Sequence, residues 1–514
     1  MQDIKLQEEC IIIEDTMPSK RNVKSKNKWK RFAKAVIFVL IIAIFMGKLG
    51  EIFAYKHDSY EANNYYSFDY LYDLPKDSLD VVYLGTSQFH LGITPLEIWN
   101  EYGITGSSFN TPSCRAWTAY YMLEEILEYQ SPKVVVLDAA ILRNWGSNII
   151  ANRRTIGQFK FSLRKLQALY DCLELEGNTL DEAINRTFEF FAYHDKWDSL
   201  TKEDFTDDVS SMTYQKGYWM TTDCTSYSGM NHEKNQKVEV TQIDDKTIEY
   251  MAKIQDLCSK KGIDLMLTKL PSDMWNQTYS EMVGGWAEEN QIPFLDMTQK
   301  KLLKEMKVDE ENSYFDSNHL NYIGAETVSS YLGNYLVENY TFGSTSQKNA
   351  EKWDADYRKY ENYRSVRIME ISKDLCEFIE LAKNPNYIIC FSIKDDAAAG
   401  LSDQEIEKLQ SLGIDTGFAQ NYRGSMVAVV DNETTVEQYY GNDAQSCTYH
   451  PYENCEIQLI SKGFDAGNDS SIQINGQEYS KNSRGLNVVV YDKQTNEVIS
   501  SNVFDTNLPA DERN

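Results

Sequence analysis

The sequence predicts an α/β fold, a doubly wound and mainly parallel sheet, followed by a smaller β-rich mixed α/β domain. Three observations carry that prediction. Short apolar runs such as Leu79-Asp-Val-Val-Tyr-Leu84 and Lys133-Val-Val-Val-Leu-Asp138 have the content of strands buried on both faces. Helical segments with a 3.6-residue apolar period alternate with them. The length of 514 residues gives two or three folded units at about 150 residues each. A content of 42% hydrophobic and 25% charged residues, with only 10 Pro and 26 Gly, excludes wholesale disorder, collagen-like repetition and a polytopic membrane protein.

Taken in order, the run Leu79–Leu84 is a strand ended by Gly85. Thr94 and Pro95 open a helix as cap and first residue, and Gly103 closes it. Gly106–Asn110 is the second strand. Ser113 is placed to cap a helix through Gln130 with Trp117, Tyr120, Leu123 and Leu127 on one face. Lys133–Asp138 is the third strand, followed by an insertion over roughly 140–240. Helix 246–261, strand 263–270, a helix near 279–290 and strand 293–296 continue the alternation. The turn Asp316-Ser-Asn-His319 leads into a last helix, Tyr322–Glu338. In such a sheet, ligands gather at the carboxyl ends of the strands.

The N-terminus has a different character. Residues 1–34 carry nine Lys/Arg against five Asp/Glu, whereas the whole chain is at −27. A body this acidic repels phosphate backbones, so no nucleic-acid partner is expected. The basic leader precedes an apolar run from Ala35 to Met46, and the uncharged stretch between Lys34 and Lys48 is 13 residues long. That is short of the roughly 20 needed to cross hydrocarbon, but both lysines can snorkel and residues 49–55 add apolar surface. A cleaved signal peptide has an apolar region of this length, yet no small-x-small cleavage site follows. The reading is an uncleaved signal anchor: a cytoplasmic basic tail at 1–34, a transmembrane segment at 35–54, and an external body in a single-pass type II arrangement at the cell membrane.

Nine cysteines are scattered without a C-x-x-C pair or a His/Cys metal spacing, so no metal and no cofactor are expected. Cys447 and Cys455 are near enough in sequence to bridge, but spacing does not fix the pairing.

Three residues stand where the strand-end rule puts chemistry. Ser87 directly follows the first strand, in Gly85-Thr86-Ser87-Gln88, where small residues permit a tight turn that presents a hydroxyl. A serine nucleophile needs a base, and the base needs an orienting acid. Asp316 and His319 offer both, three residues apart. Asn110, at the end of the second strand, is placed to donate to a developing oxyanion beside the backbone N–H of Ser87. His90 reads first as a structural imidazole. In the insertion, His194 and Trp197 (within Tyr193-His-Asp-Lys-Trp197) are candidates for lining a sugar cleft, with Lys216-Gly-Tyr-Trp219 nearby in sequence.

These blocks resemble a known family. G-T-S-Q near the start and D-S-N-H near the end look like the nucleophile and Asp-x-x-His blocks of SGNH (GDSL-like) hydrolases, over about residues 75–340. S-F-N-T-P-S and P-K-V-V-V-L-D, with the N-terminal anchor, are similar to the exported acyltransferase branch of teichoic-acid D-alanylation and alginate-type O-acetylation proteins. The resemblance implies a flavodoxin-like sheet and Ser87, His319 and Asp316 as nucleophile, base and orienter. It also implies transfer of an acyl group to a cell-surface glycan, with a membrane-bound O-acyltransferase as the supplying partner. A glycan esterase and a non-catalytic glycan-binding or assembly factor are the alternatives. One departure is visible: no Gly-x-Asn-Asp block follows the third strand, which ends Asp138-Ala-Ala.

Beyond residues 55–342, a small polar linker at 341–347 opens a charged helical connector, 343–385. Residues 386–514 then supply strands at 387–397, 425–430, 471–479 and 484–492 and one helix at 403–412. R-G-L-N-V-V-V-Y and F-D-T resemble the ILEI (interleukin-like EMT inducer) domain, which implies carbohydrate binding. Here they follow the D-D-A segment instead of preceding it, as in a circular permutation.

Overall fold

The computed structural model describes residues 21–53, 68–143, 155–160, 162–175, 197–198, 200, 205, 213–237, 242–343, 345–398, 400–508 and 512–513. The chain divides into two units, Met1–Ala62 with Phe159–Ser210, and Asn63–Gln158 with Ser211–Asn514.

In the first unit the basic leader and the apolar run form one helix, α1 (Arg21–Phe53). No helix among the described residues is long and apolar enough to cross a membrane. Within α1, Lys34 and Lys48 bound an uncharged run of 13 residues. Phe38, Val39, Ile41 and Phe45 are nevertheless exposed along it.

The second unit holds the chemistry. Its first sheet consists of β1 (Val81–Gly85), β2 (Gly106–Asn110), β3 (Val134–Asp138), β4 (Asp264–Lys269) and β5 (Phe294–Asp296), in the order β2-β1-β3-β4-β5. Every pairing is parallel. This is the flavodoxin-like order, whose switch point lies between β1 and β3. Helices α2 (Ser87–Gly92), α3 (Pro95–Tyr102) and, after the insertion, α9 (Tyr322–Asn339) cover one face. There Ile93, Ile98, Val328 and Leu332 pack on Val81, Tyr83, Val136 and Met266. Helices α4 (Ala116–Tyr129) and α6 (Asp245–Lys261) bring Trp117, Met122, Ile126, Met251 and Ile254 to fully or nearly fully buried positions. Helices α7 (Gln277–Glu289) and α8 (Lys300–Met306) also belong to this unit, whereas α5 (Leu163–Leu175) lies in the first.

Two caps differ from the sequence reading. Thr94 precedes α3 but makes no side-chain cap, although Gly103 does close the helix in the left-handed region. Ser113 does not cap α4. Pro112 and Ser113 instead form a turn closed by Cys114 N–H donating to Thr111 O at 3.1 Å, with Ser113 at φ 51°. Proline followed by a positive φ is turn chemistry, and it delays the helix to Ala116.

The connector is the helix α10 (Thr345–Ile371), continued by α11 (Leu375–Ala382). It is no solvated spacer. Its first half docks on the sheet domain: Trp353 packs on Trp99 with ring centroids 5.7 Å apart, and Trp99 Nε1 donates to Asp354 at 3.0 Å. Lys216 pairs with Asp356 in a buried ion pair. Arg364 grips Glu326 of α9 through Nε at 2.5 Å and Nη2 at 2.8 Å. Its second half belongs to the C-terminal core, where Met369, Leu375 and Phe378 pack with Phe391, Val488 and Phe504.

That domain has a nine-stranded sheet with the path β12-β11-β10-β6-β13-β14. The members are β6 (Tyr387–Asp395), β7 (Ser425–Asp431), β8 (Thr434–Gly441), β9 (Gln445–Tyr452), β10 (Cys455–Gly463), β11 (Asp469–Ile474), β12 (Gln477–Glu478), β13 (Gly485–Asp492) and β14 (Glu497–Phe504). One helix, α12 (Asp403–Ser411), starts at a capping box of Ser402 and Glu405. The R-G and F-D-T blocks meet: Arg484 pairs with Asp505 at 2.6 Å, and the Thr506 hydroxyl donates to Ala397 O at 2.9 Å, within the D-D-A segment. All eight described cysteines are free. Antiparallel register sets Cys447 opposite Leu459 and Cys455 opposite Tyr452, so the two thiols do not face each other.

Candidate active site

The nucleophile turn is built by the end of β1. A Cβ on Gly85 would meet Asp138 Cβ at 2.6 Å, so the close approach of β1 to β3 requires glycine. Thr86 caps α2 by accepting from Gln88 N–H, and its hydroxyl donates to Asp138 Oδ2 at 2.5 Å. Asp138, fully buried, accepts in addition from Thr86 N–H and Ala140 N–H. Asp138 thus braces the nucleophile turn. Ser87 becomes the first residue of α2, half-buried, and its N–H has no intrahelical acceptor.

The second half of the site comes from the turn before α9. Asp316 accepts from the backbone N–H groups of Asn318 (2.7 Å) and His319 (2.9 Å). A short acidic side chain satisfying amides two and three residues on is an Asx-type turn, and it brings the His319 ring over the carboxylate. His319 Nδ1 lies 2.9 and 3.0 Å from the two Asp316 oxygens, and Nε2 lies 2.8 Å from Ser87 Oγ. The carboxylate fixes the tautomer: Nδ1–H donates to Asp316, which leaves Nε2 to accept from the serine hydroxyl. Burial pushes Asp316 up, but the His319 hydrogen bond, its charge and the two backbone donors outweigh it and hold the carboxyl below its usual range. Asp316 stays ionised, the form that orients the imidazole and stabilises imidazolium. Ser87, His319 and Asp316, 232 residues apart at the extremes in hydrogen-bonded chain separation, thus form one connected line.

Asn110 is adjacent. It stands opposite Gly85 in the β1–β2 register, but its amide donates to Ser108 Oγ at 2.8 Å and to Gly217 O at 3.4 Å. Of these, the second is a long contact, the weaker of the two. Among the weaker candidates, His194 lies outside the described residues, and Trp197 is 63% exposed in the first unit.

The segment Lys216-Gly-Tyr-Trp219 joins this site from the insertion. Lys216 O accepts from Ser108 N–H at 2.8 Å, so this segment lies along the edge of β2. Gly217 has φ 81°, and a Cβ there would sit 1.8 Å from Ser108 O. Its carbonyl accepts from Asn110 and from His90 Nδ1, the latter at 2.9 Å. Trp219, half-buried, stacks on His90 at 9° with centroids 6.5 Å apart and meets Phe315 edge-on at 6.4 Å. Phe315 in turn lies 6.4 Å from the His319 ring. An aromatic wall therefore runs from the nucleophile helix to the base.

His90 is 2% exposed, and its Nε2 finds no hydrogen-bond partner among the described residues. Burial lowers its pKa to about 4, against the Gly217 hydrogen bond and with help from His319. Between the ordinary histidine value near 6.5 and about 4, the unfolded chain takes up a proton that the folded one refuses, so stability falls as pH drops through that window. Thermal unfolding measured from pH 7 to pH 4 should therefore show a steep acid loss, up to about 3 kcal/mol from this residue, that His90→Gln flattens.

No protein-family model and no curated protein matches the chain. Among solved structures, a GDSL-like lipase from Bacteroides thetaiotaomicron VPI-5482 is similar at 13% identity and a TM-score of 0.26, covering 54% of this chain and all of that one. A protein described as an acylhydrolase, from Bacteroides fragilis NCTC 9343, is similar at 13% identity and a TM-score of 0.26, covering 55% of this chain and 99% of its own. The functional reading rests on the geometry of the site.

Proposed function

We propose that the protein is an SGNH-type serine O-acyltransferase that carries an acyl group, acetyl in the simplest case, on Ser87 and passes it to a hydroxyl of a cell-surface glycan. The observation that carries the reading is the Ser87–His319–Asp316 line, set at the carboxyl ends of parallel strands beside their switch point. In the first half-reaction Ser87 Oγ attacks the acyl carbonyl while its proton passes to His319 Nε2. The leaving group departs with that proton, and an ester remains on Ser87. In the second, an acceptor hydroxyl gives its proton to His319 as its oxygen attacks the ester, and Ser87 Oγ recovers a proton on release. The Ser87 N–H receives the oxyanion in both, and Asn110 can exchange its long contact to Gly217 for the same role.

Sugar acceptors suit the Trp219–Phe315 wall, since sugars bind by stacking and hydrogen bonds. The exposed apolar residues of α1 and its basic flank support a membrane-attached enzyme with its catalytic unit outside, close to an acyl-supplying membrane protein. Transfer and hydrolysis share the acyl-enzyme and differ only in what attacks it. The full-length protein in detergent, given an activated acetyl ester and rising concentrations of an oligosaccharide, should form acetylated sugar at the expense of free acetate. Acetate release unaffected by any acceptor would identify an esterase instead.

A further inference from the structure

Beneath the site lies a buried polar chain that neither half-reaction uses. Lys269, the last residue of β4, is fully buried. Its Nζ donates to Gln88 Oε1 at 2.6 Å and to Leu270 O at 2.7 Å, with the Trp275 ring 5.2 Å away. Gln88, 3% exposed, donates its Nε2 to Asn318 O at 3.1 Å and to Asn318 Oδ1 at 2.5 Å. Ser272 Oγ donates to the same Asn318 Oδ1 at 3.1 Å.

The placement of this chain is informative. Gln88 follows Ser87 and Asn318 precedes His319, so one side-chain amide ties the neighbour of the nucleophile to the neighbour of the base. An amide has one accepting end and one donating end. Lysine is a pure donor, and both Asn318 atoms accept, so only one orientation of Gln88 satisfies both sides. A flipped amide would set its NH2 against the ammonium and its oxygen against a carbonyl. Burying an ammonium that makes no ion pair among the described residues costs several kcal/mol, and an apolar side chain would fill the same space without that cost.

Resting on the acyl-Ser87 reading above, we propose that Lys269 is a positioning residue: through the oriented Gln88 amide it fixes the Asn318–His319 backbone, and hence the distance from Ser87 Oγ to His319 Nε2. Burial lowers the lysine's pKa to about 8, against the attraction of Asp138 and Asp296. The neutral amine still has two N–H groups for Gln88 and Leu270, so the clamp persists on either side of that value.

The role separates cleanly from a structural one in Gln88→Glu. A carboxylate at 88 gives the buried lysine a counter-charge, so a purely structural network is kept or strengthened. It has no donor for the Asn318 backbone carbonyl, so the link to the Asn318–His319 backbone is lost. With the full-length protein and a small activated ester, Gln88→Glu should melt no lower than wild type. Its kcat should fall about 10- to 100-fold with little change in KM, the size expected for a displacement of about 1 Å at the reacting atoms. Covalent labelling of Ser87 by a fluorophosphonate should slow by a similar factor. Lys269→Met should lose kcat in the same way if it folds. A folded Gln88→Glu with wild-type kcat and labelling rate overturns the clamp. Ser87→Ala, run alongside, keeps the two readings apart: a dead Ser87→Ala with a fully active Gln88→Glu rejects the clamp alone, whereas an active Ser87→Ala rejects the nucleophile.

Discussion

Ser87→Ala and His319→Ala are each expected to lower turnover of an activated acetyl ester by about 10⁶-fold, to the level left by binding and the oxyanion donors alone. The magnitude follows from the connected line. The serine hydroxyl is a weak nucleophile unless Nε2, 2.8 Å away, takes its proton during attack. Because the members act as a unit, the double variant should be no worse than either single one. Asp316→Asn should cost less, about 10⁴-fold, since it loosens the tautomer and the imidazolium's partner while leaving base and nucleophile in place. Steady-state kinetics on the three variants and the double variant measure the series.

The second large effect belongs to stability. Lys216 and Asp356 join the segment beside β2 to helix α10, and their side chains are only 4% and 10% exposed. The Trp353 ring lies 4.9 Å from the ammonium. Burial lowers the Lys216 pKa, while the Asp356 charge and hydrogen bond raise it in opposition. Lys216→Met leaves a buried carboxylate unpaired, and should destabilise the protein by about 3–5 kcal/mol. Lys216→Met with Asp356→Leu removes both charges and should recover most of that loss, so a double-mutant cycle in denaturant isolates the pair. The single variant should also lower kcat, because Gly217 adjoins Lys216 and its carbonyl holds both His90 and Asn110. An effect on stability with no effect on kcat would separate the segment from catalysis.

This pair also bears on how the C-terminal domain is joined to the sheet domain. A solvated connector would make residues 386–514 a tethered module acting only through local concentration. Instead α10 packs on both domains, with Trp353 against Trp99 at one end and Met369 in the C-terminal core at the other.

The sheet was legible in the sequence chiefly through β1 and β3, which are buried on both faces and read as apolar runs. The site was legible because Gly-Thr-Ser and Asp-x-x-His carry their geometry locally: a small-residue turn presents the hydroxyl, and the aspartate orders the amides that carry the histidine. What escaped notice depends on distant pairing. Strands β8 and β9 are half-exposed, with polar residues such as Glu437, Gln438, Gln445 and His450 along them, so they show little apolar alternation. Lys269 closes a strand and reads as an ordinary polar end, and nothing local shows that Gln88, 181 residues earlier, accepts its hydrogen bond. The charged face of α10 reads as solvated because its partners Lys216 and Glu326 come from elsewhere in the chain. Ser113 was misplaced for a local reason, since the proline before it favours a turn over a cap.

The central claim is a covalent acyl group on Ser87, and its most direct test is to trap it. Full-length protein mixed briefly with an activated acetyl ester, quenched in acid and digested should yield one acetylated peptide by mass spectrometry, modified at Ser87. It should be absent from Ser87→Ala, and should disappear when the wild-type acyl-enzyme is chased with a sugar acceptor before the quench. Acetyl groups found only on other residues, or wild-type turnover with no adduct at the earliest times, would contradict the account.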